Sequence, residues 1–327
     1  MLDVRAWIAC IVLTLAPACF AAWHAGSIAD LLPAMAIMPA WMAAATMLTL
    51  IGVYASMVLN RVACPTQTLV RMAKSNWRRI MEAALLVALA GINMITFMWI
   101  KPLLNKLVPF WADPLLANVD KAIFLGNDPW TLLSWANVPF AGVIYHPAWF
   151  FSIAIALLVA AFAPPSPRRS AIIVTYFALW SVAAPVVHSL LPAAGPIFFE
   201  AMGYGHRFSG MEHNQETLIV ANYLWDFYQS GSYGAGNGIS AMPSMHVTTS
   251  SWVVIAAYAL DRRWLAPAIA AWCVIFTLSI ALGWHYAVDG IAGAAIAIST
   301  YLMAYRIFIF ARPATPAWQS DPVPEAA

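Results

Sequence analysis

The feature that most constrains this 327-residue chain is a succession of apolar runs, each long enough to cross a bilayer. A hydrocarbon core of ~30 Å needs about 20 apolar residues at a helical rise of ~1.5 Å each. About eight such runs stand out: 6–23, 33–59, 80–100, 141–163, 171–192, 243–260, 265–284 and 290–311. Backbone groups in lipid have no water to bond, so every run must be a helix or part of a closed barrel. The runs are too long and too uniformly apolar for barrel strands. Only 9% of the residues are charged, against roughly 25% in soluble domains, and so few charges cannot cover a water-soluble surface. The expected fold is all-α, a polytopic membrane helix bundle.

Lysines and arginines give the expected orientation. Arg61, Arg71, Lys74, Arg78 and Arg79 fill one loop, Arg168 and Arg169 a second, Arg262 and Arg263 a third. Threading eight spans puts these three loops and both termini on one side, the cytoplasmic side of an inner membrane. The other side carries Asp30, Asp113, Asp120, Asp128, Glu200, Glu212, Glu216 and Asp226, with Lys101, Lys106, Lys121 and Arg207 as counterweights. A net charge of +2 suggests no nucleic-acid partner. Cys10, Cys19, Cys64 and Cys273 have no metal or disulfide spacing and read as small apolar side chains. The first run, with Arg5 before it, mimics a signal peptide. A second long run follows closely, so it reads as a retained helix. The sixteen tryptophans read as interfacial belts.

Two long connections, 101–140 and 193–242, fall on the outer side. The first should hold short amphipathic pieces in the interface. Long ordered loops in compact proteins are usually functional. The expected organisation is an accessory two-helix region with a basic loop (1–79), a catalytic membrane domain (80–312) and a disordered, Pro- and Ala-rich tail (313–327).

Two polar clusters interrupt the apolar pattern: "SAMPSMHV" at 240–247 and "GWHYAVDG" at 283–290. About forty residues separate His246 from His285, which is two membrane crossings. Both histidines therefore fall at the outer face, on neighbouring antiparallel helices. His285 and Asp289 share one face if their segment is helical. A carboxylate on one ring nitrogen fixes the tautomer and frees the other nitrogen to attack. Pro243 suits the first turn of the sixth span, with Ser244 and His246 beside it. Free N–H groups there favour an anion, and the preceding "GAGNGIS" can bend around a phosphate. Asn237, Gly238, Ser240, Ser244, His188 and Arg207 are the expected phosphate- or substrate-binding residues. The chemistry that fits is phosphoryl transfer: His285 attacks phosphorus, Asp289 stabilises the imidazolium, and His246 protonates the departing oxygen. No metal or other cofactor is expected.

"SAMPSMH" followed two spans later by "HYAVD" resembles the second and third signatures of the type 2 phosphatidic acid phosphatase (PAP2) superfamily. More narrowly it resembles the branch of inositol phosphorylceramide synthases and related bacterial inositolphosphotransferase-like membrane proteins. "LLPAAGPIFFE" and the Asp120–Trp130 stretch look like the same branch. The resemblance covers about residues 80–312 and implies a six-helix catalytic core, with His285 as nucleophile, Asp289 as its partner and His246 as acid. It also implies a phospholipid or sphingolipid-type substrate and an inositol-like polyol acceptor. The wider superfamily carries an arginine shortly before the nucleophile and a Lys/Arg-Pro signature upstream. "TLSIALGWH" has no arginine, and no upstream signature matches, which favours the synthase-like branch. The outer-side cations Lys101, Lys106, Lys121 and Arg207 are left to offset phosphate charge.

Competing readings stay open at this point. A lipid phosphate phosphatase would use the same intermediate, and an anion or lipid transporter would use the same polar groups without chemistry. Zinc suits two imidazoles and a carboxylate, although no H-E-x-x-H pair occurs. A Ser244–His285 hydrolase is a further alternative. His24, His146, His188, His206 and His213 taken singly read as structural, with His188 near "PAAGP" and His213 the first exceptions to consider, and "TTSS" at 248–251 reads as a helix-packing surface.

Overall fold

Helix is the only regular structure among the described residues, which are 2–310 apart from Gly26, Ile28, Asp30, Tyr233 and Ala235 in this computed structural model. Asp30 and the expected 313–327 tail thus lie outside the described residues. The order is α1 (Val4–Ala25), α2 (Ile37–Leu59), α3 (Pro65–Ser75), α4 (Trp77–Leu107), α5 (Asp113–Ile123), α6 (Pro129–Leu133) and α7 (Ala141–Phe162). Then follow α8 (Pro167–Ala178), α9 (Ala184–Leu190), α10 (Gln215–Gln229), α11 (Met245–Leu260), α12 (Leu265–Ala281) and α13 (Ala287–Phe310). A π-helical turn, Leu179–Ala183, joins α8 to α9 in one span. Among the described residues seven helical segments are long and apolar enough to cross a membrane, and α11 is a shorter apolar helix. The chain is a polytopic helical bundle, as its apolar runs require.

The shortness of α11 corrects one expectation. Pro243 is not in its first turn. It follows a cis Met242–Pro243 bond and precedes the cap. Ser244 is the N-cap, its side chain accepting the Val247 N–H at 3.4 Å. At the other end Asp261 leaves the helix to cap the next turn through the Arg263 N–H.

The central core draws on α1, α2, α4, α7, α8, α11 and α13. Leu2 just before the first helix, Ala6 and Cys10 on it and Trp41 of the second belong to it, so the N-terminal pair packs into the same interior as the rest. Trp41 and Trp252 are buried and donate to the Val87 and Ile172 carbonyls, each at 2.8 Å. They are core residues and not part of an interfacial belt, because a carbonyl within reach of each indole N–H lets the ring be buried. The 248–251 run packs as expected: Thr249 accepts the Trp149 indole and Ser251 the Trp272 indole, both at 2.7 Å.

The end of the bundle that carries the basic loops is tied by a buried ion pair. Arg169 lies 3.3 Å from Glu82, and its other donors reach the Ala160 and Ala161 carbonyls at 2.9 and 2.7 Å. Glu82 also accepts the Leu2 N–H at 2.5 Å. α4, α7, α8 and the chain's start are thereby held together at one level.

The two long connections are ordered around the opposite end. α5 was expected in the interface, yet it is docked: Asp113, Leu116, Ala117 and Asp120 are buried on one face. The second connection contains a helix the apolar pattern did not mark, α10, capped by the Asn214 side chain accepting the Thr217 N–H at 2.9 Å.

Candidate active site

Three elements bring imidazoles together at the end of the bundle away from the Arg169–Glu82 pair. α11 supplies His246 in its first turn, the turn before α13 supplies His285, and α7 supplies His146. The His246 and His285 rings are 6.1 Å apart, centre to centre. That spacing brings the two rings to one site, with Tyr145 and Trp149 packed against His246. The expectation that residues 246 and 285 meet across two crossings is thus what the geometry gives.

The condition for His285 and Asp289 to share a helical face is not met. The segment is not helical there, because α13 begins at Ala287. Asp289 Oδ2 lies 3.6 Å from His285 Nδ1 and accepts the Tyr286 N–H at 2.9 Å instead. This is the backward reach of a third-position carboxylate to the capping residue. The nearest partner of Nδ1 is the Ala241 carbonyl at 2.8 Å. A carbonyl only accepts, so Nδ1 carries the hydrogen and Nε2 presents a lone pair. Burial holds His285 down to about 3, against which the Ala241 bond works, and the charge of Lys101 depresses it further. The ring is therefore neutral at physiological pH. Asp289 Oδ1 is buried without a partner.

Two carboxylates of α5 hold this turn in place. Asp120 accepts the Ala287 and Val288 N–H groups at 2.7 and 2.8 Å, satisfying the free donors at the start of α13. Burial raises it to about 6 despite those bonds. Asp113 accepts Ala194 N–H, Gly195 N–H and the Tyr286 hydroxyl at 2.8–3.0 Å. Burial raises Asp113 too. Gly195 has φ of +106°, and a Cβ there would come within 2.5 Å of the Trp284 carbonyl oxygen. Only glycine lets the 193–195 segment lie against the turn that carries His285.

The remaining expected binding residues are spread around this centre. Ser244 is buried as the cap of α11. Ser240 Oγ is 2.9 Å from His188 Nδ1, and Asn105 is 3.4 Å from His188 Nε2. Asn105 also clamps Ile239 through both backbone groups, at 2.7 and 2.8 Å. The glycine-rich stretch lies on α4: Gly236 N–H meets the Met98 carbonyl at 2.7 Å, and a Cβ on Gly238 would stand 2.7 Å from the Lys101 backbone. Its glycines thus permit a close approach to a helix. Asn237 accepts the Tyr223 hydroxyl at 2.9 Å. Arg207 is engaged elsewhere, by Asp128 at 2.5 Å and by Asn118 and the Ala117 carbonyl, both at 2.8 Å.

Two residues gain importance over their sequence reading. Lys101 of α4 is a cation whose charge acts on His285, behind the larger effect of burial. His146, read as structural, places Nδ1 3.2 Å from His246 Nε2. The signal for it was present, because "YHPAW" opens a span at the same membrane level as His246 and His285. Among the described residues no cluster of three His, Cys, Asp or Glu side chains has the arrangement of a metal site, which gives the zinc reading no ligand set. An apolar cavity of about 520 Å³ lies between α1, α4 and α9, and none of the site histidines lines it.

No curated protein and no solved structure matches the chain. A family model does match, over residues 115–303. That stretch runs from α5 to α13 and carries His146, His246, His285 and Asp289. It covers more than half of the chain, and its family acts on lipid phosphates. The convergent histidines thus lie within the matched stretch, and this chain belongs to the PAP2 superfamily.

Proposed function

We propose that the chain is an integral-membrane phosphotransferase that acts on lipid phosphate esters through a phosphohistidine at His285. The observation that carries this reading is the pair of imidazoles 6.1 Å apart, one of them fixed with a bare Nε2 by the Ala241 carbonyl. His285 Nε2 forms the P–N bond as the P–O bond to the lipid breaks. The leaving oxygen takes a hydrogen from His246. An acceptor hydroxyl then gives its hydrogen back to His246 while its oxygen displaces His285 from phosphorus. Asp289 offsets the charge that develops on the His285 ring, and Lys101 offsets that of the phosphate, in place of the missing arginines. Ser240 and His188, hydrogen-bonded to each other at 2.9 Å, are assigned to contact the phosphate or the acceptor.

The short signatures "SAMPSMH" and "HYAVD" and the absent arginines support the synthase-like branch, with a phospholipid or sphingolipid-type donor and an inositol-like polyol acceptor. Residues 80–312 form the catalytic domain and 1–79 an accessory region in this reading. The distribution of Lys and Arg supports a site facing the periplasm of an inner membrane, with both termini cytoplasmic.

The test is lipid mass spectrometry of membranes carrying the wild-type chain or His285→Asn, with and without added myo-inositol. A transferase yields a new phospho-headgroup lipid only with the acceptor and only with His285. Free phosphate released regardless of acceptor assigns a phosphatase instead. Unchanged lipids in both membranes, with no phosphate trapped on His285, reject enzymatic turnover.

A further inference from the structure

His246 has one ring nitrogen engaged by His146, and the mechanism above gives that contact no task. His146 Nδ1 and His246 Nε2 are 3.2 Å apart, so one donates and the other accepts a single hydrogen. Nδ1 is then the nitrogen of His246 left for substrate. The ring is not free to turn. Tyr145 stacks on it at 4.6 Å and Trp149 packs on it at 4.3 Å, centre to centre. His146 is only half-buried, and it stands beside a ring clamped in one orientation.

We propose that His146 is a positioning residue that relays protons through His246, so that the pair protonates the leaving oxygen and later deprotonates the acceptor. This rests on the phosphohistidine reading. The cycle starts with His146 as imidazolium and His246 neutral, its hydrogen on Nδ1. As the P–O bond breaks, the electron pair stays on the leaving oxygen, which takes the hydrogen from His246 Nδ1. His146 Nδ1 passes its hydrogen to His246 Nε2 and becomes neutral. The hydrogen bond between the rings survives with its direction reversed. When the acceptor oxygen bonds phosphorus and the P–N bond breaks, the acceptor hydrogen goes to His246 Nδ1. The hydrogen on Nε2 returns to His146, and the starting state is restored.

The titratable and charged groups that face the pair are Lys101 from α4, His285 from the turn before α13 and Tyr145 on α7 itself. A phosphate anion bound beside His246 favours the imidazolium from which the relay starts.

The experiment uses the full chain in lipid nanodiscs, as wild type, His146→Phe and His146→Gln. Each is mixed with phosphatidic acid, phosphatidylinositol or 4-nitrophenyl phosphate, and the phosphoryl adduct on His285 is timed by rapid quench and mass spectrometry. The lipids leave as alkoxides that need a proton, whereas 4-nitrophenolate does not. Both variants should slow adduct formation from a lipid donor by about 10²–10⁴-fold and stay within about threefold with 4-nitrophenyl phosphate. The lipid reaction should also lose its acid dependence. Glutamine holds a hydrogen bond but cannot hand a proton on, so recovery of wild-type rates in His146→Gln would reduce His146 to a support for the ring and overturn the relay. Equal slowing with all three donors would overturn it as well. Wild-type protein that forms no adduct with any donor defeats the phosphohistidine reading itself, and the relay with it.

Discussion

His285 gives its Nδ1 hydrogen to the Ala241 carbonyl at 2.8 Å, a shorter contact than the 3.6 Å to Asp289. The backbone just before α11 therefore sets the tautomer of the residue just before α13. A carbonyl cannot take the proton away, so the bond holds at every pH at which the segment is folded.

The first prediction concerns the protonation of His285. Its folded value of about 3 lies below the ~6.5 of a free imidazole. The unfolded chain thus binds the proton first as pH falls. Stability from this group is complete above ~6.5 and is lost from there down to about 3, by up to about 1.4 kcal/mol per pH unit. ¹⁵N spectra of histidine-labelled protein should show the His285 ring neutral at pH 5. A midpoint near 6.5 would contradict the buried, Ala241-bonded geometry.

Asp289→Asn should fold, because an amide oxygen still accepts the Tyr286 N–H that Asp289 now takes at 2.9 Å. It replaces the carboxyl group proposed to offset the charge of the phosphorylated His285 ring by a neutral amide. Loss of one such electrostatic contribution typically slows turnover about 10²–10³-fold. Turnover close to wild type would restrict Asp289 to holding the backbone of the turn.

Lys101→Met keeps a straight apolar stem of similar length and removes the cation. Adduct formation should slow with every phosphate donor alike, with a raised KM, because the phosphate is common to all. Lys101→Arg should rescue incompletely, since a planar fork does not replace a point charge where Gly238 packs against the backbone of the same residue. A loss confined to lipid donors would place Lys101 against the leaving group.

At the other end of the bundle, Glu82→Leu leaves the Arg169 charge buried with only the Ala160 and Ala161 carbonyls as partners. Breaking one side of a buried pair costs about 3–5 kcal/mol. Thermal unfolding in detergent should show a large drop for this variant and partial recovery in Glu82→Leu/Arg169→Met. The double variant behaving as badly as the single one would mean that shape, not the unpaired charge, governs this end.

The bundle of long apolar helices and the meeting of His246 with His285 were legible because both follow from run lengths and a crossing count. The details at helix ends were not. Apolar periodicity does not show where a turn starts or stops, so Pro243 was expected inside a helix that begins only at Met245, and the start of α13 at Ala287, three residues before the apolar run, was not seen. Asp113 and Asp120 were hidden for a different reason. In "DPLLANVDKAI" they share a face with Leu116 and Ala117, and a hydrophobic reading turns acidic residues toward water. Here that face is inward, and the backbone donors of Ala194, Gly195, Ala287 and Val288 supply what water would have given. His146 was missed because a lone histidine in an apolar helix has no visible partner until a residue one hundred positions away is folded onto it.

The late start of α11 has a consequence for the residue it faces. Because the helix begins only at Met245, the Ala241 carbonyl is not taken up by a helical hydrogen bond. It stays available to the His285 ring at 2.8 Å. One more turn of helix at this end would withdraw that acceptor.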